Sequence, residues 1–353
     1  MTGRDHLPLF FPGENLCVRA RYRLVRMKVI SDRVRERLSL TAVALLLMLS
    51  AAVAAEPYPS RPVRLIIPFP AGGSNDVVGR LVANQLGETL GQQVFVDNRA
   101  GAGGVIGTEA AASALADGYT LLVVSIAHAV NPALYKLNYD PIKSFAPVSI
   151  LARGPNVLAV NPRLPVNSVK ELIQLAQQKP GELEYASAGI GSFQHLGGEL
   201  FKLMAGVNLL HVPYKGGGPS MSDVISGHVN VVFSSLIQTT PFIESGKLRA
   251  LGTGGSQRSP VLPDVPTIAE AGAPGYEANN WWGIVAPAGT SAPIIDKLHN
   301  AAKAALQSSK LRDQFAREGA STVQMSSAEF SRYMEAEIAK WSRVVQQGNI
   351  RAQ

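Results

Sequence analysis

The stretch PFPAGGSNDVVGRLV, residues 68–82, decides the fold. It closes an apolar run at 63–69, turns on Gly72-Gly73 and opens a helical pattern at Ser74, whose hydroxyl is expected to serve as an N-cap. Strand, glycine turn and helix in that order begin a βαβ unit. No Lys follows in the GK[ST] order of a nucleotide phosphate loop, so the turn offers backbone N–H groups at a helix start without nucleotide chemistry.

The same alternation continues outward. Strands are expected at 63–69, 93–96, 120–125, 148–151, 157–161, 184–187, 207–211, 229–233, 249–253 and 283–286. Helices are expected at 74–90, 104–114, 168–178, 194–205, 218–226, 241–245, 267–271, 293–308, 310–317 and 327–347. This pattern predicts an α/β fold with a largely parallel sheet. The chain of 353 residues is long for one such sheet. Two segments, 156–166 and 279–293, read as places where it crosses between lobes. The division is then lobe 1 at 57–158 plus 284–353 and lobe 2 at 159–283, with a ligand cleft between them.

The net charge of +7 is unevenly placed. Residues 1–55 hold nine Lys/Arg against four acids, which leaves 24 basic and 22 acidic residues in the remainder. A nearly neutral body lacks the basic footprint of a nucleic-acid binder, and that class is excluded. The N-terminal charge precedes an apolar run from Leu38 to about Ala55, ending in small residues where Ala52-Val53-Ala54 or Val53-Ala54-Ala55 suits a signal peptidase. The expected arrangement is an N-terminal extension and secretory signal over 1–55, the signal itself at about 27–55; an uncleaved anchor is the alternative. Met27 is a second candidate start. The single cysteine, Cys17, falls ahead of the signal, so a chain cleaved near residue 56 has neither a disulfide nor a lipid-anchoring thiol. The expected location is the periplasm.

The opening stretch has a partner. LEYASAGIGSFQHLGGELF (183–201) again runs strand, glycine loop and helix, with the helix beginning near Ser192. One turn falls in each expected lobe, and both would line the cleft from opposite sides. Free N–H groups at the two helix starts suit an acidic ligand such as a carboxylate. NRAGAGGVIGTEAA (98–111) is not a dinucleotide fingerprint: Ile106 stands where the third glycine belongs, and the next strand ends in Ser125 rather than an acid.

Catalytic constellations are scarce. The sequence has no G-x-S-x-G elbow and no H-E-x-x-H. Ser192 and His195 read as nucleophile and base lack an orienting acid; His195 either touches ligand or simply caps and packs. His128 is a further candidate for the cleft. Lys215 in VPYKGGG either meets a carboxylate or is an exposed loop lysine. Trp281 and Trp282 are expected to pack the second crossing. No metal or cofactor is expected.

The segments YPSRPVRLIIPFPAGGSNDVVGR, VDNRAGAGGVIG, ADGYTLL, NPALY, LEYASAGIGSFQHLGGELF, HVPYKGGGP, GKLRALGT, RSPVLPDVPTIAEAG and WWGIVAPAGT occur in this order. Together they resemble the Bug family, the periplasmic solute-binding proteins of tripartite tricarboxylate transporters, from about Tyr58 onward. The resemblance implies a type II periplasmic-binding-protein fold of two α/β lobes. It implies carboxylates held by main-chain N–H groups, small hydroxyls and waters. First-lobe contacts would be Ala71, Gly72, Gly73, Ser74, Asn75 and Asp76, with Ser125 and His128 nearby. Second-lobe contacts would be Ser187, Ala188, Gly189, Ser192 and His195, with Lys215 and Gly216. Where many members have Phe-Asp after the VNVVF strand, this chain has Ser234-Ser235, so Ser234 is a changed polar contact and the ligand cannot be copied from a relative. The implied role is a receptor, expected to be a monomer, that hands a small carboxylate to membrane subunits. A receptor docking on a sensor kinase and a serine hydrolase using Ser192 or Ser74 are the alternatives.

Overall fold

The computed structural model describes Arg35, residues 58–347 and residues 350–351. The chain divides into two units, Met1–Pro57 and Tyr58–Gln353. Apart from Arg35, the signal segment lies outside the described residues, as does Cys17; the fold and the site belong to the second unit.

Among the described residues ten strands form one sheet. They are β1 (Val63–Ile67), β2 (Val94–Asn98), β3 (Thr120–Ser125), β4 (Phe145–Val160), β5 (Glu184–Ser187), β6 (Leu210–Pro213), β7 (Val231–Ser235), β8 (Arg249–Thr253), β9 (Asn279–Pro287) and β10 (Ser321–Thr322). The order is β2-β1-β3-β9-β4-β7-β5-β6, with β8 and β10 also on β4. Over residues 58–347 ten α-helices cover the faces: α1 (Ser74–Leu90), α2 (Val105–Ala112), α3 (Ile126–Leu134), α4 (Val169–Gln178), α5 (Phe193–Ala205), α6 (Gly217–Ser226), α7 (Leu236–Glu244), α8 (Ala292–Gln307), α9 (Ser309–Arg317) and α10 (Ser327–Gln347). No described helix is long and apolar enough to cross a membrane.

Period-two alternation explains the layering. In β1, Val63, Leu65 and Ile67 face one apolar layer with α1 and α8, while Ile66 faces another with Leu122, Val285 and Phe330. In β7, Val231 and Phe233 face one layer and Val232 the opposite one. Both halves of the sheet are therefore buried on two faces, as in α/β domains. Each fully buried Val, Leu, Ile or Phe contributes about 1.5–3 kcal/mol of transfer free energy.

The structure corrects the expectation of separate strands at 148–151 and 157–161: β4 is one strand of 16 residues. From Phe145 to Pro155 it pairs with β9; from Asn156 to Val160 it pairs with β7. Pairing with β9 shifts register at Pro147/Ser149 and at Ile150/Ala152, the first beside a proline that lacks a donor, and the strand continues through both irregularities to Pro155. Pairs β1·β2, β1·β3, β5·β6 and β5·β7 are parallel, but β4 and β9 run antiparallel to their neighbours, so the sheet is mixed rather than largely parallel. Trp281 and Trp282 both pack. Trp281 sits edge-on against Phe330 and Tyr333 with its Nε1 donating to Glu337, and Trp282 is in the layer beneath α1.

Candidate ligand-binding site

The first glycine turn is held by a carboxylate. Asp76 Oδ2 accepts from Gly72 N at 3.0 Å and from Arg80 Nε at 2.9 Å, and Oδ1 accepts from Asn98 Nδ2 at 2.9 Å. Burial alone would raise this carboxyl, but the hydrogen bonds from Arg80, Gly72 and Asn98 and the Arg80 charge hold it below the ordinary carboxylate range. Asp76 thus shapes the turn, its oxygens occupied by protein donors. The helix cap is Gly73, with φ −85° and ψ 167°, and Ser74 is the first helical residue, which corrects the expectation that Ser74 caps. The Ser74 hydroxyl is thereby left for the cavity described below.

The second turn closes on itself. Ser192 caps α5 by accepting from His195 N at 3.3 Å. Gly191 N donates to His195 Nδ1 at 3.2 Å, and Gly189 N donates to Ser187 Oγ at 3.0 Å. An Nδ1 that accepts belongs to a neutral imidazole carrying its proton on Nε2. Burial pushes His195 down to about 4, consistent with that state. The His195 ring stacks on His211 at 4.2 Å between centroids, and His211 Nε2 lies 2.6 Å from Ser187 Oγ. Burial, and next the neighbouring His195, push His211 down to about 3. Ser192 Oγ thus accepts one backbone N–H and His195 Nδ1 another, each supporting the turn.

The turn at 214–218 meets the first turn directly. A Cβ on Gly216 would lie 2.4 Å from Pro70 Cδ, and one on Gly218 would lie 2.4 Å from the Ala71 carbonyl oxygen. Only glycine lets these backbones approach so closely. Gln238, on α7, fastens the contact: its Nε2 donates to Gly72 O at 3.1 Å and to Gly217 O at 2.8 Å.

Where the turns meet there is a cavity of about 30 Å³. Of the expected residues, Gly73, Ser74, Asn75, Ser125, Ala188 and Ser192 line it; Gln194, Gly217, Ser235, Gln238 and Asn280 complete its polar wall. Ala71, Gly72 and Gly216 lie at the turn-to-turn contact beside it, and Ser234 lies behind Gln194 and Gln238. Ser187, Gly189 and His195 support the second turn from outside the cavity. Lys215 is exposed. His128 is turned away: its Nε2 is 2.8 Å from Pro141 O and its ring packs between Tyr139 and Phe145, where burial lowers its basicity.

The lining has two properties in combination. It contains no Lys, Arg, His, Asp or Glu. It also receives the starts of five helices: α1 at Gly73–Asn75, α3 at Ser125–Ala127, α5 at Ser192–Gln194, α6 at Gly217 and α7 at Ser235. First-turn N–H groups have no intrahelical acceptor, and each helix start carries about half a positive charge. The cavity wall is thus electropositive without a charged side chain, which suits a small anion. No cluster of His, Cys, Asp and Glu among the described residues could hold a metal ion.

A larger, open groove runs past Leu200, Leu203, Met204, Trp341 and Val344 on the far side of α5. It shares only Phe193, Gln194's neighbour, and Asn280 with the cavity, and none of the glycine turns reaches it.

Residues 78–350 match the family described as the tripartite tricarboxylate transporter family receptor, TctC. The chain belongs to this family. It is 41% identical to Protein BugT of Bordetella pertussis over 302 residues, covering 85% of this chain and 93% of that protein. Among solved structures it resembles the periplasmic binding protein BugD, with a TM-score of 0.81, 34% identity and coverage of 84% and 100% of the two chains. R. palustris Rpa4515 with adipate gives 0.81, 39%, 84% and 100%. MatC from Rhodopseudomonas palustris with bound malate gives 0.77, 34%, 82% and 100%. The fold is accordingly the two-lobed periplasmic-binding type, and the chain is a solute-binding receptor of the TctC/Bug family.

Proposed function

We propose that this receptor captures a small carboxylate in a cleft between its lobes, in the periplasm, and delivers it as a monomer to the membrane subunits of a tripartite tricarboxylate transporter, performing no chemistry itself. The observation that carries the reading is the convergence of five helix starts on one neutral polar cavity. An anion gains about 0.3–1 kcal/mol from each helix start and about 1.5–3 kcal/mol from each charge-assisted hydrogen bond. Three or four such bonds, less the cost of association, are compatible with micromolar affinity, about −8 kcal/mol. The relatives solved with adipate and with malate support a carboxylate.

The lobes are residues 57–158 with 284–353, and residues 159–283. This division is supported by the exchange of partners along β4, which leaves β9 for β7 at Asn156. A cavity of about 30 Å³ holds about two waters, since one water needs roughly 10–15 Å³. A four-carbon acid therefore enters only if the lobes part and then reclose around it. Contact sites on the ligand are Gly73, Ser74, Asn75, Ser125, Ala188 and Ser192, with Ala71, Gly72 and Gly216 fixing the turns. The secretory signal expected at about 27–55 accounts for export.

Thermal melting of the purified protein against a panel of mono-, di- and tricarboxylates tests the proposal. A ligand at a hundredfold excess over Kd adds about 2.7 kcal/mol, which raises the Tm of a chain of this length by roughly 4 °C. Gly73 sits at a φ that proline can adopt, so Gly73→Pro removes one N–H at the cavity with limited backbone strain. The expected outcome is a shift with at least one acid that shrinks in this variant. Absence of a shift with every acid would refute the carboxylate reading.

A further inference from the structure

Three buried side chains form a polar relay whose orientation can be deduced atom by atom. Gln238 Nε2 faces two carbonyl oxygens, Gly72 O and Gly217 O, so that end of the amide must be the NH2. Gln238 Oε1 then accepts from the Ser234 hydroxyl at 3.0 Å. With its proton committed there, Ser234 Oγ is an acceptor for Gln194, which must present Nε2, at 3.0 Å; the same Nε2 lies 3.4 Å from Gln238 Oε1. The opposite end of Gln194 is consequently Oε1. That oxygen is buried and has no hydrogen-bond partner, on a residue only 4% exposed that lines the cavity. Turning the amide over would set its oxygen against Ser234 Oγ and Gln238 Oε1, leaving the single Ser234 hydroxyl proton to serve two amide oxygens.

Asn75 makes the contrast. It is 8% exposed, lines the same cavity and also has an unpartnered Oδ1, but no hydrogen bond fixes its amide. It can turn to donate to a carboxylate, whereas Gln194 can only accept. A buried acceptor left unpaired is costly, so a ligand that brings a donor to Gln194 is favoured over one that does not. Five helix starts around the cavity disfavour an ammonium, so the fitting donor is neutral, and on a small aliphatic acid that donor is a hydroxyl.

We infer that Gln194 is a specificity determinant, selecting a carboxylate that also carries a hydroxyl over the same acid without one. This rests on the carboxylate-receptor reading above. The solved relatives contain both kinds of ligand, adipate and malate, so the selection has to reside in this chain's own residues.

The experiment is calorimetric titration of the purified protein with three matched pairs: propionate and lactate, succinate and 2-hydroxysuccinate, glutarate and 2-hydroxyglutarate. The hydroxylated member of the tightest pair is expected to bind about tenfold more tightly, the ratio corresponding to one buried neutral hydrogen bond. In Gln194→Met, of similar volume and without the acceptor, that ratio is expected to fall to within twofold of unity while circular dichroism stays unchanged. Equal binding within every pair that binds overturns the inference and leaves the carboxylate receptor standing. A preference that survives in Gln194→Met overturns the assignment to Gln194. No binding by any of the six acids, with no melting shift in the wider carboxylate panel, overturns the carboxylate reading and the inference with it. Should Gln194→Met not fold, the wild-type ratio still decides whether a hydroxyl is selected, and Ser234→Ala, which frees the Gln194 amide to turn, is expected to narrow it; an unchanged ratio there overturns the relay.

Discussion

Replacing Gln238 with Met should open the cleft without unfolding the protein. Gln238 is 3% exposed and its Nε2 makes two bonds of different kinds. The bond to Gly217 O joins α7 to α6, both inside the proposed lobe 159–283, and should survive opening. The bond to Gly72 O links residues 166 apart in sequence and joins the two glycine turns, so it exists only when the turns meet. Methionine keeps the volume and loses both donors. In the open form water replaces the donor at Gly72 O; in the closed form the carbonyl is left buried. The closed form therefore loses a hydrogen bond and acquires a stranded acceptor, a combined cost of about 1–3 kcal/mol. On the proposed capture mechanism the closed form retains the ligand, so its Kd should rise roughly 5- to 150-fold. Calorimetric Kd values for the best-binding acid, with the radius of gyration from solution scattering with and without that acid, measure both consequences. The ligand-free variant should be more expanded than the ligand-free wild type. A Kd within twofold of wild type, in a variant with an intact circular dichroism spectrum, would refute the view that Gln238 fastens the lobes.

Other substitutions separate the site from its supports. Asp76→Ala should lower stability by about 1–3 kcal/mol and weaken every acid, because Gly72 N, Arg80 and Asn98 lose a common buried partner; melting and titration check both. Gly283→Ala places a Cβ 2.2 Å from Phe330 Cζ, so melting should show an overpacking loss of about 1–3 kcal/mol while Kd stays unchanged, Gly283 not lining the cavity. His195 and His211 predict acid sensitivity. An unfolded imidazole titrates near 6.5, whereas burial holds the folded ones at about 4 and about 3. Between those values the unfolded chain binds protons that the folded chain excludes. This contribution to stability is complete above about pH 6.5 and is lost as the pH falls toward 4 and then 3. The Tm of the ligand-free protein should fall across that window, and less steeply in His195→Gln; an equal slope in the variant would refute the assignment.

The two-lobed α/β fold was legible because its strongest signals are local. The run at 63–69, the glycine turn and the helix from Ser74 each carry their own pattern, and the second copy at 183–201 repeats it. Two helix starts facing the cavity left no such trace: α3 was not expected at all, and of α7 only the end, 241–245, was expected. At Ser125 and Ser235 a fully buried strand passes straight into a helix, α3 or α7, with no turn residue between and no side-chain cap. Each helix also contains a proline, Pro132 or Pro241, which reads as a break. An apolar run followed by a proline-containing segment looks like a strand and a loop, and only the packing of the layers decides otherwise.

That loss explains which site residues escaped the sequence. With the helix expected only from Pro241, nothing put Gln238 in the first turn of α7 against Ser234 at the end of β7, and so nothing put Gln238 against Gly72, 166 residues away. Gln194 sits between Phe193 and His195 in a readable helix, yet its value lies in an orientation imposed by Gln238 through Ser234, which no spacing encodes. The histidines drew attention because imidazole is chemically versatile, but a desolvated ring is a poor partner for charge; burial instead made His195 and His211 the neutral stack supporting the second turn. Contacts made by backbone N–H groups follow from where helices begin and survive in the glycine grammar of a sequence. Contacts made by neutral amides depend on a three-dimensional chain of donors and acceptors, and it is in that chain that this receptor's own selectivity is written.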